Sequence, residues 1–391
     1  MARAHLRKRQ YKSGTTWQIT IELGMDENGE RQRMFKSTYG TKKEAEKEMQ
    51  QMLNDLDGGT FIEDTKITVA SYLRNWIKIY VVPNLAPTTI DGYRSNIENY
   101  IIPKIGTILL QKLAPIHLQD MYLKLSQNGR LDGKGGLSPT TIRAIHRTLG
   151  KALDQALRME QIKRNVSILV TIPKLTPYKA EIYDENELIN LLNIAKGTDM
   201  EVPITLGATL GLRRGEILGL QWSDINFKEC KMTINHNLVS TMAGAVFTTP
   251  KTSKSCRTLE LSAGMITILK KHSLAQKENR LKLGSAYCDK DLVCCYPDGN
   301  FYVPKNFSKK FAWFLKSKGL KHIRLHDLRH SNATLMLTYG IPAKVASERL
   351  GHASIGITLD LYSHVTNAMQ KDVADKIEHG IFDRLTIASN L

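Results

Sequence analysis

Four residues in the last quarter of this 391-residue chain have types and spacing that could do chemistry together. His326 and Arg329 lie three apart in the run HDLRH, His352 ends a Leu350-Gly351-His352 triplet, and Tyr362 follows ten residues later. A tyrosine hydroxyl titrates near about 10, so it must lose its proton as it attacks. A guanidinium can bind two phosphate oxygens at once, and an imidazole can move a proton near neutrality. The set suits attack of a phenol on a phosphodiester. That reaction needs guanidinium groups on the phosphate, a proton acceptor at the nucleophile and a proton donor at the leaving alkoxide. Arg329 supplies one guanidinium. A second is offered by TLGLRRGEILGL, Thr209–Leu220. There Gly211 ends one helix and Arg213 sits at the turn into the next. Glu216, three residues on, can buttress that turn or hold an arginine. Arg214 is the alternative clamp. His322, His326 and His330 fall at i, i+4 and i+8, but this spacing, without added Cys, Asp or Glu, is unlike a zinc site. No metal is expected.

The elements that must position these residues fall into three segments. In residues 1–64, Trp17, Ile19, Ile21 and Leu23 alternate with polar residues, a half-buried strand. Asn28-Gly29 signals a hairpin into a second strand over Arg31–Tyr39. Thr41 with Glu44 forms a capping box for a helix reaching about Leu56. The first dozen residues carry Arg3, Arg7, Lys8, Arg9 and Lys12 and no acid, and read either as an arm along a phosphate backbone or as a solvated tail. Residues 65–170 read as helical. Thr68 caps a helix over Val69–Val81, and Pro87 opens one ending near Ile101-Ile102-Pro103. A third follows Pro115, and Ser138-Pro139 opens a fourth. On the fourth, Arg143, Arg147 and Lys151 form a basic stripe opposite a core face of Ile142, Ile145, Leu149, Leu153 and Leu157. The stripe fits an anionic partner, with a solvated face as the alternative. Pro173 and Pro177 mark a linker. Beyond it, helices flank strands expected near Lys231–Val239, Ala245–Thr249 and Cys256–Leu261. No internal repeat stands out. Met369, Val373, Ile377 and Ile381 give the C-terminal stretch a narrow apolar stripe.

In this order the motifs are similar to those of the tyrosine recombinases of the phage-integrase family. The first box of that family, G-L-R-x-x-E, is matched by Gly211–Glu216. The second, H-x-L-R-H, then L-G-H and a tyrosine, is matched by His326–His330, Leu350–His352 and Tyr362. The family places a lysine on a β-hairpin between the boxes. Here Thr249-Pro250-Lys251-Thr252 precedes a strand over Thr258–Leu261, which puts Lys251 at the hairpin tip, with Lys254 as its rival. The resemblance implies that Tyr362 attacks to form a 3′-phosphotyrosyl link and that Arg213 and Arg329 clamp the phosphate. It implies that Lys251 protonates the leaving 5′-oxygen, that His326 assists proton transfer and that His352 positions the phosphate. The phosphotyrosine conserves bond energy, so neither ATP nor another cofactor is implied.

The same resemblance implies a multidomain fold: a small α+β arm-binding domain (1–64), an all-α core-binding domain of SAM-like type (65–172), and a mainly helical catalytic domain with a small β-sheet (178–391). It also implies double-stranded DNA attachment sites and a homotetramer on DNA, in which the apolar C-terminal helix docks on a neighbouring protomer. An accessory excision or host DNA-bending protein is a further expected partner. The expected outcome is integration and excision of a mobile element through a Holliday junction. A type IB topoisomerase and a DNA-binding regulator without chemistry are the alternatives.

Composition agrees with a polyanionic partner. The net charge is +17, and residues 65–176 carry 16 Lys/Arg against 6 Asp/Glu, which makes them the electrostatic centre. No apolar run approaches the roughly 20 residues that span a bilayer. The basic N-terminus has no apolar stretch behind it to make a secretory signal. Five cysteines do not suggest a disulfide framework, so a reducing cytoplasm is expected.

Overall fold

The structure is a computed structural model. It describes residues 3–11, 14–25, 29–58, 61–62, 65–175, 181–248, 256–352, 354–359 and 378. The chain forms two compact units, residues 1–176 and 177–391. Among the described residues no helix is long and apolar enough to cross a membrane.

The first unit opens with a three-stranded antiparallel sheet, β1 (Arg3–Tyr11), β2 (Gly14–Met25) and β3 (Arg31–Tyr39), in that order. Helix α1 (Lys42–Asp57) covers one face, and Ile19, Ile21 and Met52 make the small core. The capping box forms as expected: Thr41 Oγ1 accepts from the Glu44 N–H, and Glu44 accepts from the Thr41 N–H at 2.8 Å. The basic N-terminal residues are neither a free arm nor a tail; they are the edge strand β1. Its alternation was hidden because Ala4 and Leu6 pack inward but the next residue on their face is the exposed Lys8, while Arg7 and Arg9 point the other way. Leu23, read as part of the buried stripe, is 41% exposed, past the end of the helix cover.

Four helices follow. Helix α2 starts at Val69–Trp76, capped by the Thr68 side chain on the Ser71 N–H. Helix α3 starts at Pro87–Asn96. Each runs into a π turn, Ile77–Val81 and Ile97–Ile101, and then a last short turn. The cause is one feature used twice. Ile77-Lys78-Ile79-Tyr80-Val81-Val82-Pro83 and Ile97-Glu98-Asn99-Tyr100-Ile101-Ile102-Pro103 share I-x-x-Y-β-branched-β-branched-Pro. Proline lacks an N–H and its ring crowds the carbonyl four residues back. The ladder shifts by one, so Val82 donates to Ile77 and Ile102 to Ile97. A short internal echo therefore exists where none was expected. Helices α4 (Pro115–Asn128) and α5 (Pro139–Arg158) complete the unit. Ile142, Ile145, Leu149 and Leu153 are buried with Leu73, Ile97, Ile101 and Leu118, but Leu157 is 39% exposed near the helix end.

The second unit packs helices α6 (Glu185–Ala195) and α7 (Glu201–Leu210) with α8 (Arg214–Gly219). Two small sheets follow. The first has strands β4 (Ile225–Asn226), β5 (Lys231–Ile234) and β8 (Arg257–Glu260); the second is the ribbon of β6 (Asn237–Thr241) and β7 (Gly244–Thr248). The single strand expected over Lys231–Val239 is broken at Asn235 and His236, whose side chains bond the buried Asp224 at 3.0 and 3.2 Å. Helices α9 (Ala263–Leu283), α10 (Pro304–Ser317), α11 (Asp327–Thr338), α12 (Ala343–Leu350) and the short α13 (Gly356–Leu359) follow among the described residues. Phe307, Phe311, Leu269 and Leu328 join its main core.

Candidate active site

Two helix C-termini build the site. Helices α7 and α12 each end on a left-handed glycine, Gly211 with φ 63° and Gly351 with φ 67°. A Cβ on Gly211 would meet Leu350 Cδ2 at 2.3 Å in a left-handed backbone, so a side chain here is strained. The last carbonyls of a helix have no partner within it and carry its negative dipole end. Here cations take them. Arg329, 1% exposed, donates from Nη1 to Gly211 O at 2.7 Å and from Nη2 to Leu350 O at 2.6 Å. Arg213 donates from Nη2 to Gly351 O at 2.6 Å. The two arginines expected to clamp a phosphate thus meet at one place, although they come from segments far apart in sequence. Arg214, the rival clamp, is exposed and donates to Ser308 Oγ at 2.8 Å.

Glu216 does both things its position suggested. Its Oε2 accepts from the Arg213 backbone N–H at 3.0 Å, closing the turn, and its Oε1 accepts from Arg213 Nη1 at 2.6 Å. A residue that sequence reasoning missed shares it: Arg257 of β8 donates to both carboxylate oxygens, at 3.3 and 3.0 Å. Burial opposes ionisation of Glu216, but the bonds and charge of Arg257, with Arg213 behind them, hold its carboxyl below the ordinary range. Burial, then the charges of Arg213 and Arg257, draw Arg329 down to about 9, so it remains a cation at neutral pH.

Their surroundings hold His326 and His352 neutral at pH 7. His352, 9% exposed, is pushed down to about 3 by burial and then by Arg329 and Arg213. Its Nδ1 meets Thr358 Oγ1 at 2.8 Å. A hydroxyl donating to Nδ1 leaves the proton on Nε2, a tautomer that can donate to a phosphate oxygen. His326 is pushed down to about 4 by burial and then by His330 and Arg329. It keeps an exposed surface, so solvent screening tempers that shift. It packs edge-on against His330 with ring centres 4.9 Å apart. Asp327, another residue not singled out from sequence, is fully buried and takes the Arg324 fork and backbone N–H, which fixes the turn holding His326. Thr358, Asp327 and Arg257 gave no sequence signal because each acts through a partner distant in sequence or through a local turn.

Lys251, its rival Lys254, Tyr362 and the apolar stripe Met369–Ile381 lie outside the described residues. The strands on either side of residues 249–255 pair with different neighbours: β7 with β6 and β8 with β5. The break at Asn235-His236 diverts the ribbon out of the sheet. In the first unit, Arg143 of the basic stripe is half-buried and donates to Pro173 O at 3.0 Å, which ties α5 to the segment leaving the unit. Lys151 lies 5.8 Å from the Tyr93 ring centre, and Arg147 and Lys151 are exposed.

Family models match three successive stretches of the chain. The phage integrase family model matches residues 182–369, its N-terminal SAM-like domain matches 68–126, and an arm DNA-binding domain matches 7–56. The chain is 30% identical over 306 residues to the ICEBs1 integrase of Bacillus subtilis, covering 75% of this chain and 80% of that protein. It is 29% identical over 379 residues to a XerC-like tyrosine recombinase of Caldanaerobacter subterraneus, covering 90% and 95%. In fold it resembles the Tn1549 transposon integrase in complex with transposon right end DNA, with TM-score 0.64 at 17% identity, covering 80% and 99%. It also resembles a lambda integrase tetramer bound to a Holliday junction, with TM-score 0.54 at 19% identity, covering 87% and 91%. The chain belongs to the phage integrase family of tyrosine recombinases.

Proposed function

We propose that this recombinase cuts and rejoins DNA attachment sites of a mobile element with Tyr362 as nucleophile, Arg213 and Arg329 on the phosphate, Lys251 at the leaving oxygen and His326 and His352 moving or placing protons. The observation that carries the reading is the convergence of Arg213 and Arg329 on the Gly211, Leu350 and Gly351 carbonyls beside a neutral His352. Guanidiniums held by carbonyls are positioned before substrate arrives, which is where electrostatic catalysis gains most. Only part of each fork is taken by these bonds, so donors remain for phosphate oxygens.

The domains proposed are 1–64, 65–172 and 178–391. The first offers a DNA-reading face. Arg3, His5, Arg7 and Arg9 of β1 pair across to Glu22, Thr20, Gln18 and Thr16, and these to Arg33, Phe35, Ser37 and Tyr39. Paired residues share a face, so the side away from α1 is basic and polar with exposed Phe35 and Tyr39. A twisted sheet of this kind fits a DNA groove. Arg147 and Lys151 on α5 are further phosphate contacts. A homotetramer on DNA, the C-terminal stripe docked on a neighbour, an accessory excision or bending protein and a cytoplasmic location complete the proposal. The test is strand exchange between two labelled duplexes carrying the element's ends. Recombinant products with a crossed-strand intermediate support it; relaxation of one supercoiled duplex without exchange would favour a topoisomerase.

A further inference from the structure

Arg257 stands apart from the residues assigned so far. It lies in β8, a strand of four residues, with a side chain only 7% exposed. Packing alone would be served there by an aliphatic residue. Its guanidinium instead reaches two segments of the site at once. Nη1 and Nη2 donate to Glu216 Oε1 and Oε2 at 3.3 and 3.0 Å, and Nε donates to Arg349 O at 2.8 Å. Three arginines thus take three successive carbonyls at the end of α12: Arg257 on Arg349, Arg329 on Leu350, and Arg213 on Gly351. The next residue is His352.

The sharing of Glu216 gives this arrangement a consequence. Arginine and carboxylate favour a parallel two-bond fork. Arg257 takes that fork, and Arg213 has a single side-chain bond to Glu216. With Arg257 absent, the Arg213 guanidinium can turn to fork with Glu216, which draws its donors off Gly351 O and away from a phosphate. We propose that Arg257 is a positioning residue for strand cleavage: by occupying both Glu216 oxygens and the Arg349 carbonyl, it keeps Arg213 aimed at the scissile phosphate and fixes the helix end that presents His352. Lysine cannot replace it fully, because a point charge does not hold two oxygens and a carbonyl together. The inference rests on the proposed roles of Arg213, His352 and Tyr362.

The test is single-turnover cleavage of a nicked duplex by the full chain and by Arg257→Lys, Arg257→Met, Glu216→Gln and Glu216→Gln/Arg257→Met. Half-saturating DNA concentration and thermal unfolding are measured for each. Arg257→Met is expected to slow cleavage at saturating DNA about 100-fold, with half-saturation changed less than about 3-fold. Arg257→Lys is expected to fall between Arg257→Met and wild type. In the Glu216→Gln background, loss of Arg257 is expected to cost less than about 5-fold, because no carboxylate remains to capture Arg213. Equal costs in both backgrounds overturn the inference, as does a wild-type rate in Arg257→Met. Should Arg257→Met not fold, Arg257→Lys decides, and a wild-type rate there overturns it. If the wild-type chain itself forms no adduct, the assignment of the cleavage residues fails. If it does and the variants match it, only the role of Arg257 fails.

Discussion

At the scale of the residue, the site is a set of charges made tolerable by carbonyls. Arg329 is nearly sealed from water, and removing a partner from a buried charge is far more costly than the pair itself is stabilising. Conversely, His352 is kept neutral by its surroundings, and this gives stability a pH dependence with a defined sign. Unfolded chains take up the proton near about 6.5, whereas the folded protein refuses it until about 3. Stability from this group is therefore full above pH 6.5 and is lost as pH falls toward 3, by an amount on the order of 5 kcal/mol. Urea unfolding at pH 7.5, 5.5 and 4.5 should show the decline; a midpoint that is flat, or that rises on acidification, would contradict it. Thr358 supplies a second prediction. Thr358→Val removes the hydroxyl that sets the His352 tautomer and should slow cleavage roughly tenfold, while Thr358→Ser retains the wild-type rate. Equal rates for Val and Ser would show that the hydroxyl has no such role.

At the scale of the element, the site depends on how helices stop. The ends of α7 and α12 are held by Gly211 and Gly351, and Asn332 adds bonds to the Ala208 and Thr209 carbonyls. Gly211→Ala places a Cβ against Leu350 in a left-handed backbone, so a loss of more than about 2 kcal/mol is expected in chemical denaturation. An unchanged midpoint would mean that the two helix ends are not packed as described. Much at this scale was legible in the sequence. The Thr41-Glu44 box, the Thr68 and Ser138 caps and the Gly211 stop are local signals, and each works over a few residues. The misread pieces depended on distant partners. Strand β1 becomes regular only by pairing with β2, and the break at Asn235-His236 depends on Asp224 from another turn. The paired π turns follow from Pro83 and Pro103, each of which ends a run that the helix ladder must shift to accommodate.

At the scale of the whole molecule, the proposed DNA contacts are divided between units that can be tested separately. Arg7→Ala/Arg9→Ala removes two cations from the open face of the N-terminal sheet. It should weaken binding to DNA bearing the element's arm sites and lower the slope of log affinity against log salt by about 1 per lost phosphate contact. Cleavage of a core-only substrate should be unchanged, and a parallel loss of cleavage would contradict the division. The ordered motifs made Arg213, Arg329 and His352 legible in the sequence, because their types and spacing suit the chemistry proposed for them. Glu216 was also legible, three residues after Arg213, but the contacts of Arg257 and Asp327, which support the site from behind, appear only in the folded chain. The central claim is that this clamp serves a phenol nucleophile. The most direct measurement traps the chain on a nicked duplex whose cleavage releases a short fragment, then maps the DNA-linked peptide by mass spectrometry. The account predicts a covalent adduct on Tyr362 that is lost in Tyr362→Phe and strongly reduced in Arg213→Ala. An adduct on another residue, or none from folded protein on its own attachment DNA, would contradict it.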